Sequence, residues 1–215
     1  MNASRDVAAI RKEYARASLT EAAVARDPVE QFRAWFEEAL GAEVPEPTAM
    51  ALATADASGR PSVRMVLLKE FDSRGFVFYT NYEGRKGTEL AENPRCALLF
   101  YWGELERQVR IEGPSERVPA AESDAYFATR PRESQVSAWA SPQSRTVADR
   151  ETLEAEAARV RAHHEGEPIP RPPQWGGFRC LPEVIEFWQG RPNRLHDRIR
   201  YRRNGVRWER ERIAP

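Results

Sequence analysis

Residues suited to holding an anion gather first around position 84. The run Asn81-Tyr82-Glu83-Gly84-Arg85-Lys86-Gly87-Thr88 leaves an apolar stretch, passes two glycines and opens a helical segment. Backbone N–H groups at a helix start are unpaired, and Arg85 and Lys86 add positive charge, so a phosphate suits the place. The glycine spacing and the residues after it are wrong for a Walker A loop. The same residues also describe a solvated charged turn. A second concentration lies near the end of the chain. In a strand over 194–202, Arg194, His196, Arg198, Arg200 and Arg202 share one face, and Leu195, Ile199 and Tyr201 the other. Such a basic face repels itself unless an anion or an acidic partner sits against it. A solvated edge strand is the competing reading, and Trp188 and Gly190 just upstream favour a pocket. Arg64 and Lys69 bracket Met65-Val66-Leu67-Leu68 on opposite faces of a regular strand, so they serve one site only across a bulge or from two sides. Tyr126, Arg130 and Ser134 recur at intervals of four, one helical face if Pro131 does not break the helix. The common theme is a phosphorylated, planar, anionic ligand, with Arg and Lys for phosphate and Trp and Tyr for rings.

Other chemistries fit poorly. His163-His164 lies in a charged helical stretch without Cys or carboxylate at ligand spacing, so no metal site is expected. No serine nucleophile elbow, dinucleotide glycine signature or kinase set occurs. Lys+Arg and Asp+Glu both number 33, so the chain lacks the basic excess of a nucleic-acid or membrane-surface protein. The aromatic residues follow no RNA-binding pattern. No apolar run is long enough to span a membrane, and the first residues lack a signal-peptide core. Cys96 and Cys180 sit in apolar surroundings and read as buried free thiols, consistent with a reducing cytoplasm.

The elements that must position these groups follow from periodicity. Residues 1–25 are polar with a weak helical rhythm (Val7, Ile10, Tyr14) and read as a mobile arm. Residues 26–215 read as one domain. Asp27-Pro28 is an N-cap and first-turn proline, Phe32, Trp35, Phe36 and Leu40 recur at helical spacing, and Gly41 stops the helix. Strands are predicted over 49–54, 63–71, 76–80, 96–101 and 108–112, with helices over 84–93, 120–129 and 147–164. Residues 167–173 are proline-rich and extended. The tail is a hairpin, 195–203 and 206–213, with its turn at Asn204-Gly205. Short strands at close spacing with helices between and after them predict a mainly β chain with α, an antiparallel barrel with helices packed outside.

Taken together, several blocks resemble the pyridoxamine 5′-phosphate oxidase family. They are Arg64-Met-Val-Leu-Leu-Lys69, Phe78-Tyr-Thr-Asn81, Arg85-Lys-Gly87, Glu106-Arg-Gln-Val109, Arg130-Pro-Arg-Glu-Ser-Gln135, Trp175-Gly-Gly-Phe178, Glu186-Phe-Trp-Gln-Gly190, Asn193-Arg-Leu-His-Asp-Arg198 and Arg212-Ile-Ala-Pro215. They occur in the family's order from about Thr48 to the end of the chain. The resemblance implies an antiparallel split β-barrel that binds FMN, working as a cytoplasmic homodimer with FMN at the subunit interface. It implies oxidation of pyridoxamine or pyridoxine 5′-phosphate by oxygen to pyridoxal 5′-phosphate and hydrogen peroxide, with ammonia released from the amine. Carried over by motif, Arg64, Met65, Val66, Leu67, Leu68, Lys69, Tyr79, Thr80, Arg85, Lys86, Gln108, Gln143, Ser144, Trp188 and Arg198 bind FMN. Lys69, Tyr126, Arg130 and Ser134 hold the substrate phosphate. Arg194 and His196 face the substrate ring as catalytic residues, with Leu195 between them. Arg11, Lys12, Glu13 and Tyr14 match the segment that closes over the substrate. Gly84 stands where many members carry a serine, which removes a hydroxyl near the FMN phosphate and keeps the backbone donor. A different split-barrel flavin or deazaflavin reductase and a non-catalytic pyridoxal phosphate carrier are the alternatives.

Overall fold

The computed structural model describes residues 13–215, and by its contacts the chain divides into two compact units. The expectations for Val7, Ile10, Arg11 and Lys12 lie outside the described residues. The larger unit holds Thr48–Leu99 and Ile111–Glu183, and the smaller holds Phe100–Arg110, Val184–Pro215 and the described residues up to Pro47.

In the larger unit, β1 (Ala49–Ala55) pairs antiparallel with β2 (Pro61–Leu67) and with β5 (Arg95–Trp102), whose last residues belong to the smaller unit. Period-2 alternation buries Met50, Leu52 and Thr54 on one face of β1. The expected strand over 63–71 is two strands. The Leu68 N–H bonds to the Thr48 carbonyl, and the next N–H, of Lys69, bonds to Val77. The chain thus changes partner there, and β3 (Glu70–Asp72) pairs with β4 (Gly75–Asn81) instead of β1. Arg64 and Lys69 therefore do not share a regular strand. β4 is buried along most of its length and pairs with β7 (Trp175–Cys180), which pairs in turn with the end of β6 (Arg107–Arg117). β7 was not anticipated, since Gly176-Gly177 reads locally as loop. Close approach favours both glycines: a Cβ on Gly176 would lie 2.0 Å from the Tyr82 hydroxyl, and one on Gly177 2.6 Å from Val118, so a larger residue would need those side chains to move.

Helices α2 (Arg85–Glu92), α3 (Ala120–Ala128), α4 (Arg132–Ala140) and α5 (Arg150–His163) complete this unit. Pro131 does interrupt the helical run, as its missing N–H and the restricted residue before it require, and it caps the unanticipated α4. Phe127, Val136, Val160, Ile169 and Trp175 form the core under these helices. Burial of each large apolar side chain contributes roughly 1.5–3 kcal/mol. Cys96 and Cys180 are free and buried.

In the smaller unit, α1 (Pro28–Gly41) begins where the Asp27 carboxylate accepts from the N–H groups of Val29 (2.7 Å) and Glu30 (3.4 Å). Gly41 is the last helical residue, with Ala42 as C-cap. The buried stripe packs Phe32 on Phe100 (5.1 Å between rings) and Trp35 edge-on to Phe187 (5.2 Å). Phe187 belongs to β8 (Val184–Gln189), which pairs with β9 (Asp197–Asn204), and β9 with β10 (Arg207–Arg212). The hairpin turn is Gly205-Val206 rather than Asn204-Gly205, with Gly205 at φ 60° in the first turn position, as a type II′ turn requires. Among the described residues, no helix is long and apolar enough to cross a membrane, and no group of three His, Cys, Asp or Glu side chains is placed to hold a metal ion.

Candidate functional site

A cavity of about 480 Å³ opens in the larger unit. The end of β2 contributes Met65, Val66 and Leu67, and the break after it contributes Lys69. β4 presents Tyr79 and Thr80, and α2 presents Lys86. The α3–α4 junction supplies Tyr126, Arg130 and Ser134, and Gln143 follows α4. Sequence reasoning had named all of these for the flavin or the substrate phosphate, and the fold brings them to one place. It had assigned no role to Thr129, Pro131 or Trp175, which also line the cavity. A tryptophan directly ahead of Gly-Gly was the available signal for Trp175.

Three aromatic rings form one wall. Tyr79 stacks on Tyr126 (4.1 Å, 16°) and on Trp175 (5.3 Å, 10°). Burial, with Glu70 and Glu122 nearby, pushes the Tyr79 hydroxyl up to about 12, so it stays protonated near neutrality. The Arg130 guanidinium lies 4.6 Å over the Trp175 ring. Its Nη1 is buried with no hydrogen-bond partner, and burial lowers its pKa. An unpaired buried donor on a cation is costly unless an anion completes it. Across the cavity, Lys86 Nζ donates to Gln143 Oε1 (2.7 Å) and Thr80 Oγ1 (3.2 Å). Burial and then the Arg64 charge lower the Lys86 pKa. A Cβ on Gly84 would come within 2.8 Å of Gln143 Oε1, so the glutamine fills the space that a serine side chain at 84 would need.

Arg64 and Arg85 do not line the cavity; they are joined by a buried carboxylate, Glu89, that sequence reasoning missed. Glu89 accepts from Arg85 Nε (2.8 Å), Arg64 Nη2 (3.2 Å), Thr54 Oγ1 (2.5 Å) and Ser62 Oγ (2.5 Å). Burial alone would raise the Glu89 pKa; the bonds from Ser62, Thr54, Arg85 and Arg64 outweigh it and hold it at about 2. The Arg85–Glu89 spacing of four on α2 was the legible signal. Leu68 is buried in the core, and Ser144 sits at φ 69° in the turn after Gln143; neither lines the cavity.

The smaller unit carries the remaining candidates. The expected basic strand face is shorter than anticipated, because β9 begins at Asp197. Arg194 instead ends a 3-10 turn, Pro192–Arg194, in which Asn193 (φ 56°) and Arg194 (φ 59°) are both left-handed. Consecutive non-glycine residues in that region store strain, a pattern concentrated at functional loops. The arginines left on the strand have acidic partners: Arg198 meets Glu186 (2.7 Å), and Arg200 and Arg202 share Glu211. Repulsion on that face is therefore relieved within the chain. His196 accepts from the Arg191 N–H at Nδ1 (3.1 Å), which leaves Nε2 as the protonated nitrogen of the neutral ring. Trp188 packs against His196 (4.7 Å), and Tyr14 lies edge-on to Trp188 (5.7 Å) and to His196 (5.9 Å). Leu195 is exposed, Glu13 precedes Tyr14, and Gln108 is on β6.

Comparison with known proteins gives consistent matches. Residues 36–164 match the family model described as pyridoxamine 5′-phosphate oxidase, and residues 175–215 that described as pyridoxine 5′-phosphate oxidase C-terminal dimerisation region. A pyridoxine/pyridoxamine 5′-phosphate oxidase of Rubrobacter xylanophilus is 62% identical over 99% of this chain and 98% of its own. That of Thermosynechococcus vestitus is 58% identical over 97% and 99%. The crystal structure of PhzG from Burkholderia lata, in complex with tetrahydrophenazine-1-carboxylic acid, aligns with a TM-score of 0.88 at 36% identity, covering 94% of this chain and 99% of its own. An FMN-binding protein of Nostoc punctiforme shares the fold at a TM-score of 0.70 and 19% identity, over 93% of this chain and 100% of its own. The fold class is the antiparallel split barrel with packed helices.

Proposed function

The chain belongs to the pyridoxamine 5′-phosphate oxidase family, and from that premise we propose that it oxidises pyridoxamine and pyridoxine 5′-phosphate to pyridoxal 5′-phosphate. FMN, when bound, would supply the two-electron redox chemistry, with oxygen as the final acceptor and hydrogen peroxide as its product. The amine substrate yields an imine that water hydrolyses to the aldehyde and ammonia; the alcohol yields the aldehyde directly. The observation that carries this reading is Arg130, a half-buried cation whose buried Nη1 has no hydrogen-bond partner, in a cavity walled by stacked rings. A phosphorylated ring compound satisfies both features.

In this reading Arg130, Lys69, Tyr126 and Ser134 bind the substrate phosphate. Lys86, Thr80 and Gln143, backed by Arg64 and Arg85, hold the flavin phosphate. No side chain forms a covalent bond, so the residues' work is to bind, orient and exclude water. Arg194 orients the substrate ring and stabilises charge at the reacting carbon, and His196, with Nε2 protonated, donates a hydrogen bond to the ring.

The working unit in this reading is a homodimer with FMN at the subunit interface. The C-terminal match to a dimerisation region supports it. So does an exposed apolar face on β2, where Val63 and Met65 are 69% and 64% accessible beside Leu67 and Leu99. The test begins with the flavin released on denaturation, identified by chromatography, and continues with pyridoxamine phosphate under air and under nitrogen. Formation of pyridoxal phosphate and peroxide under air is the expected result. Binding of pyridoxal phosphate without turnover identifies a carrier and defeats the reading.

A further inference from the structure

Glu106 is only 7% exposed and sits at φ 56°, a left-handed conformation that costs a non-glycine residue energy. Its place in the turn between β5 and β6 would suit glycine better, so the side chain must return something. Carboxylate Oε2 accepts from the backbone N–H groups of Ala15 (3.0 Å) and Arg16 (3.1 Å). Arg16 Nη1 donates to the neighbouring Glu104 carbonyl (2.7 Å). The Glu106 carbonyl accepts from Gly190 N–H (2.8 Å), at the end of β8. One residue therefore ties the turn, the strand that carries Trp188, and the segment that carries Tyr14.

Tyr14 is the residue immediately before this clamp. Its ring meets Trp188 and His196. Gly190 makes the room: a Cβ there would lie 2.7 Å from Tyr14 Cγ and 3.1 Å from the Glu106 Cβ. The turn, the missing side chain and the carboxylate all serve the placement of one ring.

We propose that Glu106 is a positioning residue that holds Tyr14 against His196 and Trp188 by clamping the backbone at Ala15 and Arg16. The proposal rests on the reading that His196 faces the substrate ring. Glu106 touches neither substrate nor flavin; it acts through Tyr14.

The experiment compares the flavin-loaded wild type with Glu106→Gly, Glu106→Gln, Tyr14→Ala and the Glu106→Gly/Tyr14→Ala pair. Glycine keeps the left-handed backbone and the bond to Gly190 while deleting the clamp. Trypsin cleavage after Arg16 should accelerate in Glu106→Gly, and KM for pyridoxamine phosphate should rise about tenfold, the scale of a lost charge-assisted bond. FMN affinity and thermal midpoint should stay close to wild type, and Glu106→Gln should recover most of the loss. In the Tyr14→Ala background, Glu106→Gly should raise KM no further, since the route through Tyr14 is already gone. Unchanged cleavage and KM, full additivity with Tyr14→Ala, or failure of Glu106→Gly to fold each overturns the proposal. Cleavage needs no turnover, so a wild type without oxidase activity defeats the functional reading and leaves the clamp to be judged separately.

Discussion

The two units carry their candidate groups in opposite ways. In the larger, most candidate groups stand on or beside regular elements, β2, β4, α2 and the α3–α4 junction, and two of the cations, Lys86 and Arg130, are already half-buried. In the smaller, the candidates sit on a short 3-10 turn with two left-handed residues and on an N-terminal segment held by a clamp. A phosphate demands fixed cations, and rigid elements place them before binding. In the proposed reaction a reacting ring would demand directed contacts at its edge, and a strained loop can aim side chains that a strand would point elsewhere.

The comparison breaks most visibly at Arg130. Arg130→Met keeps bulk over Trp175 and removes a half-buried cation with an unpaired buried donor, so the thermal midpoint should hold or rise while KM for the phosphorylated substrate rises by about one to two decades. Inorganic phosphate should stabilise the wild type in a melting experiment and leave this variant unmoved. A variant that melts much earlier would mean that Arg130 is structural.

Arg194→Ala tests the other unit. It should stay yellow, with kcat reduced by about one to two decades and KM changed less, as expected of a group that acts on the reacting carbon. Loss of flavin with normal turnover on resupply would move Arg194 to the cofactor.

Arg85→Ala sharpens the division within the larger unit. FMN affinity should fall about tenfold, and activity should return in excess FMN. Lys86 adds a pH signature. Its pKa is lowered by burial and then by the Arg64 charge, so the protonated form proposed to bind phosphate is lost at lower pH than in an ordinary lysine. FMN affinity, measured by fluorescence quenching, should weaken as pH rises, with a midpoint below 10.5, and Lys86→Met should flatten that dependence.

The smallest effect concerns Glu89. Its folded pKa of about 2 lies below the ordinary 4.5, so its contribution to stability is fully present above 4.5 and is lost as pH falls through about 2. Denaturant titrations across that window should show a stability slope that Glu89→Gln lacks.

Much of this was legible in the sequence, for local reasons. The Asp27-Pro28 cap, the stripe through Phe32 and Trp35, and the alternation in β1 and β9 are short-range patterns, and local backbone physics reads them directly. The failures were equally local. Gly176-Gly177 looks like a loop until Tyr82 and Val118 occupy the space above it, and 63–71 looks like one strand until Thr48 and Val77 compete for its N–H groups. Glu89 and Glu106 were read without a role, because a carboxylate's task depends on which donors meet it, and apart from Arg85 those donors lie 25 to 35 positions from Glu89, at Arg64, Ser62 and Thr54, and about 90 from Glu106, at Ala15 and Arg16.

The sequence by itself determined which residue types were available, cations with hydroxyls and aromatic rings in a fixed order, and through that order the family. Tertiary structure decided which of them meet. It put Lys69, Lys86, Arg130 and the Tyr79–Tyr126–Trp175 stack around one cavity, turned Arg64 and Arg85 onto Glu89, and took Arg194 and His196 off the strand. The physical reason is that a charge's role is set by its desolvation and its partners, both properties of three-dimensional neighbours that no spacing along the chain records.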